Sequence, residues 1–164
     1  MQIRPAKADD AAQACDVLRR SITELCQTDH HDDPAILEAW LSNKTPENVR
    51  SWIANPKTYV VVATDGAAIM GVGAVTSSGE ILLNYVSPAA RFRGVSKAIL
   101  TWLEAKAREL GNSRCVLNST ETARRFYLSN GYVQQGSSTS SFAKVTCYPM
   151  AKQLSSTAPS ALTA

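Results

Sequence analysis

Between Thr58 and Pro88 the chain reads TYVVVATDGAAIMGVGAVTSSGEILLNYVSP, three apolar runs broken by Thr-Asp-Gly and Ser-Ser-Gly. Short β-branched runs bounded by such turn signals predict strands joined by tight turns, an antiparallel meander. This segment limits the folds open to the chain, because the period changes straight after it. The residues that follow, RFRGVSKAIL and TWLEAKAREL, have helical spacing and predict a long helix over roughly Ser96 to Leu110, closed by Gly111. RCVLNS then predicts a fifth strand and ETARRFYLSNG a short helix closed by Asn130-Gly131. YVQQGSSTS and SFAKVTCYPMAKQL predict a last pair of strands.

Ahead of the meander, QIRPAK predicts a first strand. DDAAQACDVLRRSITELCQ predicts a helix capped by Asp9, with Ala12, Cys15, Leu18, Ile22 and Leu25 at three- and four-residue steps. TDHHDD predicts a polar loop. Pro34 opens a helix in PAILEAWLSN, and Thr45 caps another in TPENVRSWI, with Pro46 in its first turn. Strand-then-helix units late in the chain predict parallel pairing there, so the fold class is α/β (α+β) with a mixed sheet.

The 164 residues make one domain by length, and 45% apolar residues suffice for a core. A net charge of +3 is too mild to imply nucleic acid, so any anion site must be local. No apolar run approaches the ~18–20 residues that span a bilayer, and MQIRPAKADDAAQ lacks the apolar stretch of a signal peptide. The expectation is a soluble, cytoplasmic protein. Cys15, Cys26, Cys115 and Cys147 form no C-x-x-C pair, which predicts buried free thiols and no metal site. The domain is expected over 1–154, with SSTAPSALTA, 155–164, as a disordered tail.

Arg91 to Lys97 fall where the third meander strand gives way to the long helix. A helix N-terminus offers unpaired N–H groups and a partial positive charge. Gly94 lets a backbone approach a ligand, Ser96 adds a small hydroxyl, and Arg91, Arg93 and Lys97 add charge. These residues suit a pyrophosphate, and they suit equally a capped helix with solvated basic side chains. The glycine spacing is neither that of a P-loop nor that of a dinucleotide fingerprint.

The stretch resembles the acetyl-coenzyme A loop of the GNAT superfamily of N-acetyltransferases, R/Q-x-x-G-x-G/A, with Arg91, Gly94 and Ser96 at those positions. Serine at the last place departs from the family's glycine or alanine but stays small. LLNYVSP is similar to the family's fourth strand ending in V-x-P. TETARRFYLSNGY is similar to N-x-x-A-x-x-x-Y-x-x-x-G-F/Y, with Ala123, Tyr127, Gly131 and Tyr132 in register and Thr120 in place of asparagine. MAKQL resembles the family's closing M-x-K-x-L, so the likeness runs from about Val60 to Leu154.

The resemblance implies a mostly antiparallel sheet of about seven strands flanked by helices, with fourth and fifth strands splayed around the cofactor. It implies acetyl transfer from acetyl-coenzyme A, without a metal, to a primary amine of a small molecule or peptide. The alternative is a non-catalytic acyl-coenzyme A binding or sensing module. By resemblance, the backbones of Asn84 and Val86 pair with the pantetheine arm, the N–H of Val86 or a neighbour polarises the thioester, and Tyr127 is the general acid. Tyr85, Phe92, Arg93, Val95, Lys97, Thr120, Ala123 and Phe126 complete the expected cofactor contacts. Arg124 and Arg125 fit either the cofactor's flank or a solvated helix face. The general base is open among His30, His31, Glu80 and a water relay, with His30 the leading candidate because imidazole titrates near neutral pH. Asp29, Asp32 and Asp33 are expected to attract a cationic amine. The expected partners are acetyl-coenzyme A and an amine acceptor, with no nucleic acid and no membrane, and the chain is expected as a monomer or homodimer.

Overall fold

The computed structural model of the chain describes residues 1–141 and 143–155. The meander reading holds: β2 (Thr58–Asp65), β3 (Ala68–Thr76) and β4 (Ile81–Val86) follow one another antiparallel, and β1 (Gln2–Pro5) pairs with the outer edge of β2. Two bulges, at Ala63/Thr64 and Ala74/Val75, shift the register. Four helices separate β1 from β2: α1 (Ala11–Leu25), α2 (Gln27–His30), α3 (Pro34–Leu41) and α4 (Pro46–Ala54). Their local signals act as read. Asp33 accepts from Ala35 N at 2.9 Å, Thr45 accepts from Asn48 N at 3.1 Å, and each helix begins on proline. Asp9 does not cap α1. A 3-10 turn, Ala8–Asp10, precedes that helix, and Asp10 reaches back to Lys7 N at 2.7 Å while Arg4 grips its other side.

A second sheet follows α5 (Val95–Glu109). It holds β5 (Arg114–Ser119), β6 (Val133–Gln134), β7 (Thr139–Ser140) and β8 (Thr146–Gln153), with α6 (Glu121–Ser129) between β5 and β6. β8 lies between β5 and β6 and also pairs with β7, every pairing antiparallel. The stretch expected as one strand from Tyr132 to Ser140 is thus two short ones, parted around Gly136 at φ 85. Among the described residues the expected late parallel pairing reduces to one bridge, Glu80 to Val116. Phe142 and the tail expectation beyond Ser155 lie outside the described residues.

Both faces of the first sheet are covered. Val60, Val62 and Val72 pack with Ala14 and Leu18 of α1 and Val49 of α4. Val61, Ala63 and Val75 pack with Ile99 and Leu103 of α5. Gly73 lets α5 approach β3 this closely, since a Cβ there would stand 2.3 Å from Ile99 Cγ2. Gly73→Ala is expected to cost about 1–3 kcal/mol by overpacking. A thermal melt checks this, and an unchanged midpoint would contradict it.

Candidate active site

The site begins where the two sheets meet and part. Val116 N donates to Gly79 O at 3.0 Å beside the Glu80–Val116 bridge, and no further bridge joins β4 to β5 among the described residues. The antiparallel ladders decide which backbone groups face the gap. Ser87 N donates to Met70 O at 2.8 Å, in register with the β3–β4 pairing. Bonded pairs alternate, so Tyr85 and Leu83 bond to β3 while Asn84 and Val86 turn their N–H and C=O outward. On the facing side Leu154 N donates to Ser113 O at 2.8 Å, so β5 bonds to β8 through Cys115, Leu117 and Ser119 and presents Val116 and Asn118 to the gap. The expected splay of these strands is present.

A cavity of about 350 Å³ occupies the opening. Ile81 through Val86 form one wall, and Leu117 through Thr120 with Thr122, Ala123, Phe126 and Tyr127 form another. Its floor reaches α5 at Gly94, Val95, Ser96 and Lys97, with Ala90, Arg91 and Phe92 ahead of them. Ser21, Leu25 and Cys26, at the end of α1, close the remaining side. These three carry no motif, and only the tertiary path of α1 places them there. Burial pushes the Cys26 thiol up to about 12, so it is a neutral wall.

At the α5 end Gly94 is the N-cap, with φ 75, and an added Cβ would meet nothing within 4 Å. The first ladder bond of the helix is Ala98 N–H to Gly94 O at 3.0 Å, which leaves the N–H groups of Val95, Ser96 and Lys97 ahead of it. Phe92 is also left-handed, at φ 64, and its ring is 91% exposed with the Arg91 guanidinium 4.6 Å from its centre. Arg93 turns away to Asp65 at 3.4 Å and is not on the cavity wall.

At the other end Thr120 caps α6 by accepting from Ala123 N at 3.2 Å. The two N–H groups ahead of Ala123 go to Asp29: its carboxylate accepts from Glu121 N at 2.8 Å, Thr122 N at 3.3 Å and the Thr122 hydroxyl. The start of α6 is therefore filled by the protein itself, whereas that of α5 is open to the cavity. Tyr127 lies one turn further along α6, 6% exposed, with ring centres 5.1 Å from Phe126 and 5.4 Å from Tyr132. Burial raises its phenol above the ordinary tyrosine value, against a smaller opposing effect of the Asn84 amide.

The acidic loop is not where it was expected. TDHHDD winds into α2, and Asp29 and His30 are buried. His30 Nε2 meets the carbonyls of Ile22 and Thr23 at 3.1 and 3.2 Å, and Asp32 N donates to Nδ1 at 3.0 Å. Both ring nitrogens are occupied and the residue is fully enclosed, so His30 does not face the cavity and is no base for an acceptor there. Asp33 is spent on its helix cap, and His31 and Asp32 are exposed at positive φ. Arg124 stacks on Tyr148, 4.4 Å from the ring centre, and bonds Gln134 at 2.9 Å, a structural role rather than a cofactor contact. Glu80 borders a second cavity of about 250 Å³ that shares Leu117 and Asn118 with the first. Among the described residues no cluster of three or more His, Cys, Asp or Glu side chains could hold a metal ion.

The model of the acetyltransferase (GNAT) domain matches residues 24–154. No curated protein matches the chain. Among solved structures it is similar to a GCN5-related N-acetyltransferase from Rhodopseudomonas palustris, at 22% identity and TM-score 0.83, over 93% of this chain and 95% of that one. It is similar to the PaiA N-acetyltransferase from Thermoplasma acidophilum in complex with coenzyme A, at 18% identity and TM-score 0.78, over 93% and 98%. It is also similar to YncA, a putative acetyltransferase from Salmonella typhimurium with its cofactor acetyl-CoA, at 17% identity and TM-score 0.71, over 94% of each chain. A match of the domain model across most of the chain, on a sheet that opens between β4 and β5, identifies this protein as a member of the GNAT family of acetyltransferases.

Proposed function

We propose that the protein moves an acetyl group from acetyl-coenzyme A directly to a primary amine of a small molecule or peptide. The observation that carries this is the gap between β4 and β5, lined by outward-facing backbone groups and ending on the open N-terminus of α5. The residues present fit the cofactor. Gly94 lines the cavity with open space around it, and the Asn84 amide oxygen is buried in the cavity wall with no partner among the described residues. The complexes of the Thermoplasma and Salmonella proteins support the same cofactor here.

When bound, acetyl-coenzyme A supplies an acyl group activated as a thioester. The N–H groups of Val95, Ser96 and Lys97, with the charges of Arg91 and Lys97, receive a pyrophosphate. The outward backbone of Asn84 and Val86 pairs with an amide-bearing arm as an added strand, and the Val86 N–H polarises the acyl carbonyl. Tyr127 holds a proton for the departing sulfur. We assign the proton of the amine to Glu80, the carboxylate of a neighbouring cavity that shares the lining residues Leu117 and Asn118 with the first. Glu80→Gln is then expected to lower kcat/KM for the amine by about 10²-fold with coenzyme A affinity unchanged. A wild-type value would remove Glu80 from the mechanism.

Four free thiols, three of them buried, suit a reducing, cytoplasmic setting. The experiment that tests the function is a calorimetric titration with acetyl-coenzyme A, coenzyme A and ATP, followed by a thiol-release screen over amines and peptides. Binding of both coenzyme A forms but not ATP, with thiol release on some amine, is the expected result. Absence of binding would overturn the reading, and binding without release on any amine would leave an acyl-coenzyme A binding module.

A further inference from the structure

Asn84 lies on the cavity wall between α5 and α6, and its side chain is held at one end only. Nδ2 donates to the carbonyl of Ser96, in the first turn of α5, at 3.2 Å. A carbonyl can only accept, so this contact fixes which end of the amide is nitrogen. Oδ1 is buried and has no hydrogen-bond partner among the described residues. Tyr127 lines the same cavity as Asn84, and the Asn84 amide favours the ionised form of its phenol, against the larger effect of burial. A buried amide oxygen without a partner is uncommon in a folded protein and calls for a group that arrives later. The Asn84 side chain takes no part in the β3–β4 ladder, and the proposed pairing with a bound arm would use only its backbone.

We propose that Asn84 is a positioning residue for the transfer: its amide, anchored to α5 through Ser96, orients the Tyr127 hydroxyl, while its Oδ1 accepts an N–H from the bound ligand. This rests on the reading of Tyr127 as the proton donor. The chemistry explains why an amide is placed there. As the Tyr127 O–H bond breaks and an S–H bond forms, the negative charge that would have stayed on sulfur passes to the phenol oxygen. That oxygen is buried, so it needs a nearby donor, and the second hydrogen of Nδ2 is such a donor. The proton released by the amine restores the phenol through solvent. An aspartate at the same place would have acceptors only and would oppose the phenoxide.

A double-mutant cycle tests the proposal with acetyl-coenzyme A and an amine found in the thiol-release screen. Asn84→Ala is expected to lower kcat on the order of tenfold, with KM for acetyl-coenzyme A within about threefold of wild type. It should move the alkaline limb of the kcat profile to higher pH, because the phenol loses a donor that favours its ionised form. In a Tyr127→Phe background the same substitution should change kcat no further. A loss of equal size in both backgrounds would overturn the inference while leaving the acid role of Tyr127 in place. A wild-type kcat in Tyr127→Phe would remove both. Asn84→Asp keeps the volume and provides a second variant should the alanine protein fail to fold. It should be at least as slow as Asn84→Ala, and full activity in Asn84→Asp would overturn the proposal.

Discussion

Gly94→Glu is expected to abolish acetyl-coenzyme A binding, with the calorimetric signal of the wild-type protein absent from the variant. The loss should be on the order of 10²-fold or more, about 3 kcal/mol at 1.4 kcal/mol per tenfold. Three effects point the same way. Gly94 sits at φ 75, where a residue with a Cβ is strained by roughly 1–2 kcal/mol. The new carboxylate would lie against the N–H groups of Val95, Ser96 and Lys97 and occupy the positive end of α5 in place of a phosphate. It would also repel the diphosphate directly. Nothing within 4 Å obstructs a side chain at Gly94, and an acidic group at a helix N-terminus is favourable in itself, so the fold should survive. Gly94→Ala separates the parts, since it carries the strain without the charge and should weaken binding by about tenfold at most. Unchanged affinity in Gly94→Glu would show that the start of α5 is not the phosphate site.

What could be read ahead of the structure was decided by neighbours in the chain. Thr45-Pro46, Pro34 and the Gly94 junction each act within four residues, and each forms the cap or turn its residue types favour. The meander was legible for the same reason. The polar TDHHDD stretch was not. Asp29 is buried because its carboxylate completes a helix that starts 92 residues later, a match that no local pattern reveals. His30 is enclosed by the carbonyls that end α1 and by Trp40, with ring centres 6.5 Å apart, so a residue type suited to catalysis serves the core. The late parallel pairing was read too broadly: among the described residues it survives only as the Glu80–Val116 bridge, because β5 pairs with a strand that the chain has yet to supply. Its consequence, a gap with a defined set of free backbone groups, follows from two ladder registers taken together.

Tyr127→Phe is the second large effect expected. Removing a positioned general acid costs about 10²–10⁴-fold, and a loss near the lower end is expected here because a thiolate leaves more readily than an alkoxide. The substitution keeps the ring, and with it the edge contacts to Phe126 and Tyr132 that hold α6 on the core. Cofactor affinity should therefore stay within about threefold, so the deficit belongs to turnover. Burial holds the wild-type phenol protonated past the ordinary tyrosine range. The acid form is thus present at neutral and mildly alkaline pH, and the wild-type rate should fall only when the phenol ionises well above that. In Tyr127→Phe this alkaline fall should vanish together with most of the rate. Single-turnover measurements are the right readout, because slow product release would hide a change in the chemical step. A single-turnover rate equal to wild type would mean that the sulfur leaves without a proton from Tyr127, and that the residue is held at 6% exposure for packing alone.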